Sequence, residues 1–137
     1  ESRGHKTKNI SNFPMIVSDK IESVLKTNEM VKILHSLNLH QDIERLKSRK
    51  PRTGKSLLRG RGTKIGKSVL FVVSKAEKLS KACNGIPGVD VQTTKNLSVL
   101  DLAPGADPIR LTVYSTTALK EIGEIKSPHL ELMVTVN

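Results

Sequence analysis

Ten of the 23 lysines and arginines of this chain fall between residues 45 and 67: Arg45, Lys47, Arg49, Lys50, Arg52, Lys55, Arg59, Arg61, Lys64 and Lys67. No Asp or Glu interrupts them, and the 13 basic residues elsewhere balance all 13 acidic ones, so the formal charge of +10 belongs to this one segment. A concentrated cationic stretch on an otherwise balanced chain is the footprint of a polyanion binder. A solvated basic face is the bland alternative, but such a face usually interleaves acids and this one does not. Gly54, Gly60, Gly62 and Gly66 are set among the charges. They let the backbone come close enough for its N–H groups to meet phosphate oxygens while the cations neutralise them. Arg59-Gly60-Arg61-Gly62 combines both devices in four residues.

The same glycines and lysines do not make an enzyme's phosphate loop. A Walker loop needs glycine five positions before the glycine of GK[ST]. Arg61 stands there for Gly66-Lys67-Ser68, and Arg49 for Gly54-Lys55-Ser56. Gly60, Gly62 and Gly66 miss the dinucleotide-binding spacing by one residue, and they precede a strand where that fingerprint must follow one. Other catalytic groups are scattered. His35 and His40 are five apart, which does not make them neighbours on one helix face, and His5 and His129 lie toward the ends. Cys83 is alone, so it forms no internal disulfide, and no cysteine or histidine cluster has metal-ligand spacing. Asp90, Asp101 and Asp107 sit near strand ends, where α/β enzymes place acids, without joining a constellation. The expectation is no catalytic residue, no metal, no cofactor and no small-molecule substrate.

The elements that must carry the basic segment follow from apolar patterning. Residues 14–18, 68–74, 89–92 and 110–115 read as strands, and SVLFVV at 68–73 is apolar enough to be buried on both faces. Helical spacing appears over 27–37, 41–47, 75–84 and 116–122. Thr27 is the expected cap of the first of these helices. Asp19 with Glu22 and Ser74 with Glu77 have capping-box spacing, and Gly85 and Gly123 read as helix stops. Alternating strands and helices predict an α/β fold, three-layer-like, with a mainly parallel central sheet. Glycine, proline and mutual repulsion predict an irregular loop over 48–67. Residues 1–12 read as an extended lead-in ordered by a partner, 13–123 as a single α/β RNA-binding domain, and 124–137 as a tail in which 130–136 is a candidate edge strand or arm. Phe71, Tyr114 and Phe13 are assigned to the core, which leaves shape and phosphate recognition rather than base stacking. No apolar run approaches the ~18 residues of a membrane span, and ESRGHKTKN has no signal-peptide core. The chain reads as soluble, intracellular and without a membrane partner.

Several ordered stretches together resemble the C-terminal part of the universal L-four family of large-subunit ribosomal proteins, in its archaeal and eukaryotic form. They are PMIVSD at 14–19, KTNEMVKILHSL at 26–37, RTGKSLLRGRGTKIGKSVLFVV at 52–73, NGIPGV at 84–89, DLAPG at 101–105 and RLTVYSTTAL at 110–119. The resemblance implies a non-enzymatic domain embedded in 23S-type rRNA beside other large-subunit proteins, in cytoplasmic ribosomes, supporting subunit assembly. It carries Arg52, Gly54, Lys55, Arg59, Gly60 and Arg61 over as RNA contacts, whereas Gly62 and Gly66 stand where relatives often have basic or bulkier residues. From the charge pattern, Arg49, Lys50, Lys64 and Lys67 join the expected RNA-binding set. Family members are longer, and an upstream loop of theirs lines the nascent-peptide exit tunnel; that loop has no counterpart in this sequence. Two other classes fit the basic segment: a regulator binding messenger RNA off the ribosome, and an RNA-modifying α/β enzyme.

Overall fold

Four consecutive buried residues, Leu70 to Val73, set the architecture. The computed structural model describes residues 4–7, 10, 13–47, 50–64, 66–107 and 110–125, with Lys50 and Lys64 as backbone only. In chain order its elements begin with β1 (Met15–Val17), a 3₁₀ turn (Asp19–Ser23), α1 (Thr27–Ser36) and α2 (His40–Lys47). Then come β2 (Lys50–Pro51), α3 (Lys55–Leu58), β3 (Thr63–Lys64), β4 (Leu70–Val73) and α4 (Glu77–Cys83). The chain continues through β5 (Asp90–Thr93), α5 (Val99–Leu102), β6 (Thr112–Ser115) and α6 (Thr116–Glu124).

The main sheet has the order β1-β6-β4-β5, with every pairing parallel. Side chains alternate across a strand, so β4 sends Phe71 and Val73 to one face and Leu70 and Val72 to the other. The first pair joins the large core with Met15, Val113, Met30, Leu34, Ile43 and Leu79, under α1, α2 and α4. The second pair meets Ala118, Leu102, Tyr114 and Ile122 under α5 and α6. Helices on both faces explain why β4 can be uniformly apolar. The expected α/β class and four-strand parallel sheet are what the chain forms.

Local signals fared less well at the element ends. Ser74 does not cap α4: its N–H donates to Glu22 Oε1 at 2.9 Å, its hydroxyl donates to Glu121 Oε1 at 2.5 Å, and the N-cap is Ala76. Thr27 is the first helical residue of α1, whose N-cap is Lys26. Asp19 and Glu22 make no box either. Asp19 accepts from Thr116 and Thr117 at the start of α6, while Glu22 accepts from Ser74, Lys75 and Ser115. α6 runs through Gly123 to Glu124 rather than stopping before it. Phe13 is 57 % exposed rather than core, whereas Phe71 is fully buried. The loop expected over 48–67 contains an antiparallel stem and one helical turn, elements of two to four residues that are too short to leave a sequence period. His129 and the possible strand at 130–136 lie outside the described residues.

Candidate nucleic-acid interface

The basic segment leaves the domain at the end of α2 and returns at the start of β4. Its stem pairs Lys50 with Lys64 and Pro51 with Thr63, and Arg52 N–H extends the ladder to Gly62 O at 2.9 Å. Above the stem, Gly54 turns the chain into α3 and Gly60 turns it back, both with positive φ (65° and 74°) that glycine adopts without strain. The tip is closed by Leu57 N–H to Gly54 O at 3.0 Å, Arg59 N–H to Lys55 O at 3.1 Å and Arg61 N–H to Ser56 O at 3.1 Å. It is a hydrogen-bonded projection, so its side chains have defined starting positions.

Lys55, Arg59 and Arg61 are exposed on this projection. Arg52 is half-buried, and its Nε donates to Thr63 O at 3.3 Å, which fixes the guanidinium against the stem. Among the described residues no acid pairs with any of these four. Gly54, Gly60 and Gly62 face open space. Lys50 and Lys64 are placed at the stem by backbone alone, and Arg49 lies outside the described residues.

The two feet of the segment behave differently. At one foot, Arg45 Nε lies 3.1 Å from Asp42 Oδ1. At the other, Lys67 Nζ lies 2.7 Å from Asp90 Oδ2. Arg45 and Lys67 are thus paired with acids where the projection joins the domain, whereas Arg52, Lys55, Arg59 and Arg61 have no acidic partner among the described residues. Asp42 is fully buried and also accepts from Ser68 Oγ at 2.5 Å, Lys6 N–H at 3.1 Å and His5 Nδ1 at 3.0 Å. Burial by itself would raise its pKa, but the bonds from His5, Ser68, Arg45 and Lys6 outweigh it and hold the carboxyl well below the usual range. Asp90 follows the same pattern. Burial opposes its charge, and Lys67 and Arg110 prevail to lower its pKa.

Of the ten residues expected to bind RNA, the structure therefore gathers Arg52, Gly54, Lys55, Arg59, Gly60 and Arg61 on one projection and sets Lys67 in an ion pair at its base. Sequence reasoning missed the counter-charges Asp42, three residues before Arg45 on α2, and Asp90, whose partners Lys67 and Arg110 are distant in the chain. It also missed Leu57 and Leu58, exposed at the tip beside the cations. Two leucines in a stretch without apolar period were the available signal.

The other candidates resolve as structure. His35 and His40 stack, with ring centroids 4.6 Å apart, because the turn between α1 and α2 brings positions five apart together. They line a small apolar hollow of about 220 Å³ with Val31, Ile43 and Pro87. Cys83 is buried in the main core, and burial pushes its thiol up to about 12. Asp101 closes a capping box with Ser98 on α5. Open parallel sheets bind ligands outside the carboxyl ends of their strands. Here that edge is crossed by Glu22, bonded to Ser74 and Ser115, and by Glu121, bonded to Ser74 and Thr94. Among the described residues no group of His, Cys, Asp and Glu is arranged to hold a metal ion, and no helix is long and apolar enough to cross a membrane.

Comparison with known proteins gives a consistent set. The pattern of the family described as Ribosomal protein L4/L1 matches residues 6–125. A large ribosomal subunit protein uL4 from Haloquadratum walsbyi is 44 % identical over 125 residues, covering 90 % of this chain and 50 % of that protein. Proteins of the same name from Methanococcus aeolicus and Sulfurisphaera tokodaii are each 42 % identical, covering 90 % and 87 % of this chain and 50 % and 45 % of their own. The chain spans about half the length of the curated relatives it matches.

Proposed function

The chain belongs to the Ribosomal protein L4/L1 family, and from that premise we propose that it is a structural constituent of the large ribosomal subunit that binds 23S-type rRNA through the projection at residues 50–64. The observation that carries this reading is the hydrogen-bonded tip that gathers Arg52, Lys55, Arg59 and Arg61 with no acidic partner among the described residues. Arginine and lysine on a glycine-turned backbone suit phosphate oxygens, and they fix register more than they read bases. Lys50 and Lys64, whose backbone pairs in the stem, and Arg49, outside the described residues, complete the proposed RNA-binding set, while Lys67 acts mainly by holding the projection's foot. The parallel sheet serves as the rigid mount.

Function here requires no reaction. Glu22 and Glu121, at the carboxyl ends of the strands, are engaged by hydroxyls and backbone N–H groups, and they tie the strands to the 3₁₀ turn and α6. Neighbouring large-subunit proteins are the expected further partners, in ribosomes of the cytoplasm.

The test is the affinity of the folded chain for a 23S-type rRNA transcript against salt. Four phosphate contacts give a slope of log K against log salt of about −3 to −4. Arg52→Ala, Lys55→Ala, Arg59→Ala and Arg61→Ala combined should flatten that slope by about three and leave the circular dichroism unchanged. A folded quadruple variant with the parent's slope and affinity would remove the projection from the interface. Equal affinity for an unrelated messenger transcript would remove the ribosomal assignment.

A further inference from the structure

We propose that Leu57 and Leu58 at the tip of the basic projection form an apolar contact with RNA, resting against base or ribose faces while the surrounding cations hold phosphates. This rests on the projection being an RNA contact and adds what part of the nucleotide the tip meets. Leu58 is 86 % exposed and Leu57 53 % exposed. Neither belongs to either core cluster. They are not the free ends of a loose loop, because the backbone bonds through Gly54, Lys55 and Ser56 hold both on one helical turn.

The occupant follows from what surrounds them. Lys55 precedes the pair and Arg59 and Arg61 follow it, all exposed and without an acidic partner among the described residues. An apolar protein groove would have to cover the leucines while leaving three cations to find acids. RNA offers apolar base faces and phosphates within one nucleotide's reach. Apolar side chains inserted at base steps and bases splayed onto protein surfaces are both established modes of nucleic-acid binding. Aromatic side chains do not fill this role on the projection, since Phe71 is in the core and Tyr114 packs under α6.

Gly62 leaves the backbone of the same tip uncovered. Its φ is not in the left-handed region, and a Cβ built on it meets nothing within 4 Å. Neither backbone conformation nor internal packing calls for glycine there, so the position is open on its outer side. It lies in the same tip, bonded through its carbonyl to Arg52 N–H.

The experiment measures binding of the folded chain to a 23S-type rRNA transcript at several salt concentrations. Leu58→Gln should weaken binding about tenfold at every salt, since a buried leucine's transfer term is of that size, with the salt slope unchanged. Leu58→Met should keep most of the parent affinity. Arg59→Ala, by contrast, should flatten the slope by about one. If the parent binds with a steep salt dependence and Leu58→Gln binds equally well, the apolar contact is overturned and the leucines face a protein or solvent. If the parent shows no salt-dependent binding, the RNA-contact reading itself fails, and this proposal with it.

Discussion

Lys67 Nζ lies 2.7 Å from Asp90 Oδ2, and the buried guanidinium of Arg110 reaches the same oxygen. Arg110 also donates to Ser68 O at 3.3 Å and Asp101 O at 3.1 Å, so one arginine ties the foot of the projection, β5 and α5 together. Asp90 is the counter-charge for a side chain that is only 1 % exposed, whereas Lys67 remains in contact with water.

The two partners of Asp90 should therefore respond differently to mutation. Asp90→Ala leaves Arg110 buried without its carboxylate and should cost about 2 to 3 kcal/mol of stability. Lys67→Ala removes an exposed pair and should cost under about 1 kcal/mol. Urea unfolding of both variants checks this. A Lys67 variant as unstable as the Asp90 variant would mean that the lysine, not the arginine, holds this corner. In RNA titrations Lys67→Ala should change the salt slope less than Arg61→Ala does.

Asp42 gives the fold an acid sensitivity whose sign follows from its environment. Its carboxyl is held below the usual range by His5, Ser68, Arg45 and Lys6. A depressed folded pKa contributes stability that is fully present above the unfolded value of about 4 and is lost as pH falls toward the folded one. Asp42→Asn should be less stable at pH 7 by roughly 2 to 4 kcal/mol, since it leaves buried donors poorly matched. The gap between parent and variant should narrow between pH 4 and pH 2. A gap that is constant over that range would show that Asp42 does not carry the acid response.

The layers of the fold were legible because they depend on apolar pattern: SVLFVV names the central strand, and the stripe through Met30 and Leu34 faces it. Capping was misread where tertiary partners won. Ser74 has the spacing to bond Glu77, but Glu22 and Glu121, 52 and 47 residues away, take its N–H and hydroxyl. The cations of the projection could be found by counting charge. Their division into anchored feet and an open tip could not, because Asp90 belongs to another element and the burial of Asp42 beside Arg45 depends on His5 and Ser68, far away in the chain. The stem escaped notice since two residue pairs and one helical turn show neither a period of two nor of 3.6.

Cys83 should behave as an inert thiol until the chain unfolds. Burial raises its pKa to about 12. At pH 8 that leaves roughly a thousandfold less thiolate than a free cysteine near pKa 8.5. Reaction with a chromogenic disulfide reagent should be negligible over minutes in the native protein and complete within seconds in guanidinium. Rapid native labelling would place the thiol at the surface, contrary to its packing with Leu79 and Ala82.

Where the basic segment joins β4, two glycines press on one leucine, and they should fail for different reasons. A Cβ at Gly66 would lie 2.7 Å from Leu46 Cδ2, the far end of a flexible side chain. A Cβ at Gly88 would lie 2.1 Å from Leu46 Cδ1 and 2.8 Å from Gly66 O, at a φ of 77°. Gly66→Ala should therefore cost about 1 kcal/mol, and Gly88→Ala about 3 kcal/mol through overlap and backbone strain together. Removing the leucine separates these causes. In a Leu46→Ala background the further cost of Gly66→Ala should nearly vanish, since its close neighbour among the described residues is gone. Gly88→Ala should still cost about 2 kcal/mol there, because the Gly66 carbonyl and the positive φ remain. Equal rescue of both glycine variants would assign the whole constraint to Leu46 and none to the backbone crossing beneath the projection.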